Sequence, residues 1–126
     1  MQLPELSKAE YDILRILWKH RKLTVREVHD KLKSLTGWAY TTTKTTMDRM
    51  AGKNLLSREQ FHGVYLYQPM ISRPKGLAKM VKFFADRVLE LDSGTVVNMF
   101  SESKALTPDE IEELESLLDQ FDRDEQ

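Results

Sequence analysis

Between Ala39 and Lys53 the chain reads AYTTTKTTMDRMAGK, and these side chains have the chemistry to meet a polyanion. Hydroxyls donate to phosphate oxygens, threonine methyls meet thymine methyls, and Lys or Arg reaches guanine. Wound as a helix, the stretch has two long faces. Thr43, Met47, Met50 and Ala51 fall on one side at the i, i+4, i+7, i+8 spacing of a buried stripe. Thr41, Thr45, Asp48 and Gly52 fall on the other, with Thr42, Lys44 and Arg49 toward its edge. Five threonines within the six positions 41–46 are a poor way to build a helix, because β-branched side chains lose χ1 freedom there. Contact with phosphates and base edges would account for them. A solvated face that happens to be threonine-rich is the alternative, and the surrounding elements decide between the two.

Other chemistries find little support. The chain has no cysteine, which removes disulfides, thiolate metal sites and thiol nucleophiles. His20, His29 and His62 are scattered over separate elements, with His29 mid-helix beside an expected solvent face. There is no Gly-rich phosphate loop and no HExxH. The adjacent acids Glu112 and Glu113 point apart on a helix, which suits solvation better than acid–base work. No enzyme, no cofactor and no metal site is expected.

The 126 residues, 40% hydrophobic and 31% charged, make a foldable composition of one domain or two very small units. The formal charge of −1 conceals an asymmetry: residues 1–69 carry +5 and residues 70–126 carry −6. A basic front suits a polyanionic partner, and the acidic back a different task. The opening MQLPELSKAEYDILRILWK lacks the basic start and unbroken apolar core of a signal peptide. No apolar run approaches the roughly 18 residues of a membrane helix, so no membrane insertion is expected and the cytoplasm is the default location.

The elements that must position the threonine face can be read in order. Ser7 with Glu10 forms a capping box at the start of a first helix, whose apolar face is Tyr11, Ile13, Leu14, Leu17 and Trp18. Leu23 stands alone in a short extended link. Thr24 with Glu27 repeats the cap for a second helix over Val25–Leu35, expected to bury Val25, Val28, Leu32 and Leu35 and to stop at Gly37. Trp38 should pack under the turn, and Asn54 should close the third helix in the left-handed conformation. The second and third helices thus form a helix-turn-helix, in which the later helix enters the major groove. Leu55–Gln60 and Val64–Gln68 flank Phe61-His62-Gly63 as a hairpin, the wing of a winged helix. Arg58 and His62 lie where a wing can touch the sugar-phosphate backbone. The expected contacts are Thr41, Thr42, Lys44, Thr45, Asp48 and Arg49 on the helix, with Arg58 and His62 on the wing. Asp48 could accept from cytosine or orient Arg49, and the second is favoured.

Beyond Pro69 and Pro74, which bracket a stiff connector, the pattern is purely helical. Leu77, Met80, Val81, Phe84, Val88 and Leu91 trace one apolar stripe. Ser93-Gly94 interrupts it, and Val96, Val97, Met99 and Phe100 belong to a short apolar helix. Thr107-Pro108-Asp109-Glu110 starts a last helix with apolar Ile111, Leu114, Leu117, Leu118 and Phe121, ending in an acidic tail, Asp122–Gln126, expected to fray. Three helices of this length hold too little chain to bury so much apolar side chain alone, so pairing with a second copy is the simplest remedy. The side chains expected to serve it are Leu77, Met80, Val81, Phe84, Val88 and Leu91, then Val97 and Phe100, then Ile111, Leu114, Leu118 and Phe121. A two-fold dimer would also place two recognition helices on the half-sites of a pseudopalindrome. The expected fold is therefore mainly α with a small β-hairpin. A winged helix-turn-helix over residues 1–69 precedes a three-helix dimerisation unit over 70–126. A winged helix that binds only protein is the rival to a DNA-binding one.

Several segments together resemble the BlaI/MecI/CopY penicillinase-repressor family: Leu6-Ser7-Lys8-Ala9-Glu10 followed by Ile16-Leu17-Trp18, Ala39-Tyr40-Thr41-Thr42 running into Asp48-Arg49-Met50, Lys53-Asn54-Leu55-Leu56, Tyr65-Leu66-Tyr67, and Leu106 through Leu114. The likeness covers essentially the whole chain, in the same order. It implies a homodimeric repressor that sits on an inverted repeat in a promoter and binds double-stranded DNA. In BlaI- and MecI-like members a membrane sensor metalloprotease, triggered by a β-lactam, ends repression by cutting the C-terminal unit. Aligned backwards from Leu106, the family's Asn-Phe scissile pair falls on Met99-Phe100, with Asn98 one position earlier. The copper-responsive branch relies on a C-terminal cysteine cluster, which a chain without cysteine cannot provide.

Overall fold

The computed structural model describes residues 3–124, without the side chains of Asp122 and Asp124. The chain folds as two compact units.

The first unit spans residues 6–72. Helix α1, Lys8–His20, starts at the expected capping box: the Ser7 backbone donates to Glu10 Oε1 at 2.9 Å and the Glu10 backbone donates to Ser7 Oγ at 3.2 Å. Helix α2, Val25–Thr36, starts in the same way at Thr24 and Glu27 and ends at Gly37, whose φ of 69° is open to a glycine without strain. Helix α3, Tyr40–Gly52, runs to Lys53, after which Asn54 takes the expected left-handed conformation. Strands β1, Leu56–Phe61, and β2, Val64–Pro69, pair antiparallel with Phe61 opposite Val64. The expected three-residue turn is thus two residues, His62 and Gly63, both at positive φ, the geometry that matches the twist of a tight hairpin. Leu23 is the edge of this sheet: its N–H and carbonyl exchange hydrogen bonds with Tyr67.

The core of this unit joins Ile13, Leu14 and Leu17 of α1, Val28 and Leu32 of α2, Met47 and Met50 of α3, and Leu56 and Tyr67 of the hairpin. Two expectations fail here. Leu35 is 71% exposed, and His29 is 7% exposed rather than beside solvent. The last turn of α2 runs past the core, whereas its middle is covered by α3.

The second unit comprises residues 73–124 with the leading residues 3–5. The boundary thus falls after residue 72 rather than 69, and Leu3 is buried among the rear helices' side chains. Helix α4, Arg73–Phe83, passes into a π-helical segment, Phe84–Leu89, which ends at Glu90 with φ 55°. Helix α5, Ser93–Ser103, is capped by Asp92, so Ser93-Gly94 forms its first turn rather than an interruption. Helix α6 is Pro108–Asp124, preceded by the expected cap: the Thr107 backbone donates to Glu110 and the Glu110 backbone to Thr107 Oγ1. The acidic tail expected to fray is helical as far as Asp124, and its last two residues lie outside the described ones.

The single stripe expected along 77–91 divides. Residues 78, 81 and 85 keep the helical repeat on one side and residues 80, 84 and 88 keep it on another, so one wide apolar arc is shared between core and surface. Ala78, Val81 and Ala85 face the unit's own core with Val96, Val97, Leu106, Leu114 and Leu118. Met80, Phe84, Val88 and Leu91 are exposed, as are Phe83, Leu89 and Met99. Leu77, Phe100, Ile111 and Phe121 are half-buried against that core. Of the residues expected to pair two copies, Val81, Val97, Leu114 and Leu118 are therefore committed inside one copy. Among the described residues, no helix is long and apolar enough to cross a membrane.

Candidate nucleic-acid interface

Helix α3 turns its two faces as its spacing requires. Thr43, Met47 and Met50 are fully buried, while Thr41, Thr42, Lys44, Thr45 and Arg49 are exposed. The helix is seated on α2 through polar atoms as well as packing. Thr43 Oγ1 lies 2.9 Å from His29 Nδ1, with both groups buried. The His29 ring meets Tyr40 edge-on at 5.7 Å, and the Arg26 guanidinium covers the Tyr40 ring at 4.2 Å. Its N-cap, Ala39, makes no side-chain hydrogen bond, in contrast to Ser7, Thr24 and Asp92 on α1, α2 and α5. Backbone N–H groups of the first turn stay free of such a side-chain cap, at the end of the helix dipole that favours anions.

The centre of the surface is a cluster around Asp48. Its Oδ2 accepts from Lys44 Nζ at 2.9 Å, and its Oδ1 accepts from Tyr67 Oη at 2.7 Å and from Arg58 at 3.2 Å. One carboxylate thereby joins the recognition helix, strand β1 and strand β2. The partner expected for Asp48, Arg49, is not among these contacts. Adjacent residues on a helix diverge by about 100°, whereas i and i+4 share a face, so Lys44 has the geometry that Arg49 lacks. Burial opposes ionisation of Asp48, but the hydrogen bonds from Lys44 and Tyr67 and the charges of Lys44 and Arg58 hold its carboxyl below the ordinary range. The same hydrogen bond and charge push the Lys44 ammonium up. Tyr67 is raised by burial and by donating to Asp48, so its hydroxyl stays protonated as the donor this geometry needs.

On the hairpin, Arg58 is exposed and lies over the Tyr65 ring at 4.8 Å. His62 is exposed at the tip, its ring edge-on to Phe61 at 4.2 Å. Only Leu56 and Tyr67 of the two strands are buried, so the tip projects from the body of the unit. The cluster thus brings Lys44, Asp48 and Arg58 together. Thr41, Thr42, Thr45 and Arg49 share the exposed side of α3, and His62 sits apart at the turn. Tyr67, Tyr40, Arg26 and His29 were not legible as parts of this surface. For Lys44 and Asp48 the i, i+4 spacing was the available signal; for Tyr67, reached across 19 positions, there was none.

The sequence profile of the penicillinase repressor family matches residues 6–120. The penicillinase repressor of Bacillus licheniformis is 26% identical over 94% of this chain and 93% of its own length. The methicillin resistance regulatory protein MecI of Mammaliicoccus sciuri is 25% identical over 90% of this chain and 93% of its own. Among solved structures, the monomeric form of B. licheniformis BlaI in complex with the blaP half-operator superposes with a TM-score of 0.52 at 27% identity, covering 59% of this chain and 90% of that one. A hydroxyl- and cation-bearing helix beside a short hairpin, followed by a helical unit and matched over nearly the whole chain, makes this chain a member of the penicillinase repressor family, which consists of transcriptional repressors and not of enzymes.

Proposed function

We propose that this chain binds a pseudopalindromic promoter operator as a homodimer and represses transcription by occluding it. The observation that carries the proposal is the exposed side of α3: Thr41, Thr42, Lys44, Thr45 and Arg49 stand out from a helix whose opposite face is locked into the core. Hydroxyls and cations of this kind position a helix on phosphates and read base edges. Arg58, and His62 at the wing tip, would add backbone contacts alongside the helix. The BlaI structure holding a half-operator supports the same assignment for the unit it resembles.

Pairing is supported by the rear unit. Met80, Phe83, Phe84, Val88 and Leu91 are each more than 40% exposed, a concentration of large apolar side chains that a second copy would cover. Two half-site readers joined in this way gain affinity through effective concentration, so separation of the rear units would release the operator. Cutting by a membrane sensor metalloprotease at Met99-Phe100, where Met stands in place of the Asn of the family's scissile pair, would achieve this, as would another signal that parts the rear units. That bond lies inside α5, so cleavage there requires α5 to open first.

The test is titration of the full chain with random duplex, and with duplex selected from a random pool, at several salt concentrations. A salt-sensitive complex with random duplex and a tighter one with selected inverted repeats are expected. Absence of any salt-sensitive complex would leave a protein-binding winged helix in its place.

A further inference from the structure

We infer that Asp48 is a positioning residue that sets sequence discrimination by holding Lys44 and Arg58 in register across the recognition helix and the wing, without itself reading a base. The inference rests on the DNA-binding assignment above. Asp48 is the residue at which three elements meet: Lys44 from α3 at 2.9 Å, Arg58 from β1 at 3.2 Å and Tyr67 from β2 at 2.7 Å. Its third partner is anchored, because Tyr67 is 1% exposed and its backbone is bonded on the sheet edge to Leu23. The carboxylate is therefore fixed from beneath by a buried phenol, and it fixes two long flexible cations above.

The donor arithmetic leaves both cations usable. An ammonium has three N–H donors and a guanidinium five, and each gives Asp48 one bond here, so the remaining donors can still meet phosphates. Asp48 itself is poorly placed to read a base. Oδ1 already accepts two hydrogen bonds and Oδ2 one from a cation. A carboxylate left to face phosphates without its cations would be repelled. Its effect on DNA is thus twofold. It orders Lys44 and Arg58, so that only a duplex of matching groove shape meets both. It also subtracts a negative charge's worth of attraction for any duplex at all. Both effects favour discrimination over raw affinity.

The test uses the full chain, random-sequence duplex, and an operator selected with the parent protein from a random pool. Asp48→Asn keeps an oxygen to accept from Tyr67 but loses the charge that holds the cations. It is expected to bind random duplex about 3- to 10-fold more tightly at low salt, with a salt slope steeper by about one. Operator affinity should fall at least about 10-fold, in the range of a lost base-pair match. Tyr67→Phe, which removes the anchor of Asp48 and the phenol's own contact with Arg58 but leaves the carboxylate, should narrow the operator-to-random ratio in the same direction and by less. A double-mutant cycle separates positioning from contact: in a Lys44→Ala, Arg58→Ala background Asp48→Asn should no longer alter the ratio. Persistence of the effect in that background would overturn the inference, since Asp48 would then act on DNA directly. Equal losses on operator and random duplex would overturn it too, as the signature of a structural role. If the parent protein forms no salt-sensitive complex, the DNA-binding assignment itself fails, a result distinct from both.

Discussion

Replacing Thr43 with Val tests how α3 is seated. The two side chains share β-branching and nearly the same volume, so the change removes one hydroxyl and leaves the helix's packing shape intact. Thr43 is 0% exposed, and its Oγ1 sits 2.9 Å from His29 Nδ1. No water can replace the lost partner without opening the contact between α2 and α3. The imidazole nitrogen is then buried facing a methyl, which costs about 1–3 kcal/mol whether that nitrogen donates or accepts. For a unit of this size each kcal/mol lowers the melting temperature by about 4–8 °C, so a fall of about 4–24 °C is expected. Both tryptophans, Trp18 and Trp38, belong to the unit that contains α3, so intrinsic fluorescence during a thermal scan follows that unit and not the rear one. His29→Leu made together with Thr43→Val removes both polar atoms, and the double variant should be more stable than the two single losses added together. A Thr43→Val melt within a degree or two of the parent, or simple additivity in the double variant, would refute the claim that this buried pair holds the recognition helix.

Three further outcomes follow from the same geometry. Lys44→Ala should weaken binding to both duplexes, the operator more than random duplex, and flatten the salt slope by about one, as titration at four or five salt concentrations would reveal; an unchanged slope removes Lys44 from the phosphate contacts. Phe84→Glu places a charge in the exposed apolar face of the rear unit, where Phe84 is 47% exposed. Sedimentation at micromolar protein should then detect monomer, and operator affinity should fall by about 10²–10⁴ while the tryptophan melt stays unchanged; a dimer that persists excludes this face from the interface. Acid should destabilise the fold through carboxyls held below their ordinary values. Glu10 is held down against its own burial by the Ser7 backbone and by Lys53, and Glu110 by Arg73. A carboxyl whose folded pKa is lowered contributes stability that is complete above the unfolded value, 4.5 for these two, and lost as pH falls through the folded one. Stability should therefore be level between pH 6 and 7 and decline below about 4.5, in denaturant titrations at each pH. A decline beginning near neutrality would point to other groups.

Most of the fold was written locally. The capping boxes at Ser7, Thr24 and Thr107 each require only two residues three apart, and all three helices begin where those pairs place them. The two faces of α3, the left-handed stops at Gly37 and Asn54, and the paired strands around His62-Gly63 likewise depend on neighbours within a few positions. The family came from a different source, the likeness of whole residue segments such as Leu6–Glu10 and Asp48–Met50, and its profile matches residues 6–120.

Tertiary structure decided what depends on partners far along the chain. Arg58 and Tyr67 lie 10 and 19 positions from Asp48, and only the folding of the hairpin against α3 selects them over the adjacent Arg49. His29 is buried because α3 covers it 14 positions later, while Leu35, equally apolar in pattern, lies beyond that cover. In the rear unit the sequence offered one stripe where the structure has two. Val81 and Ala85 lie on the side of the helix packed with α5 and α6 side chains, and Phe84 and Val88 lie on the side left open. Periodicity tells which residues share a face; it cannot tell which face meets the core, because that is settled by the shape and position of the element packed against it.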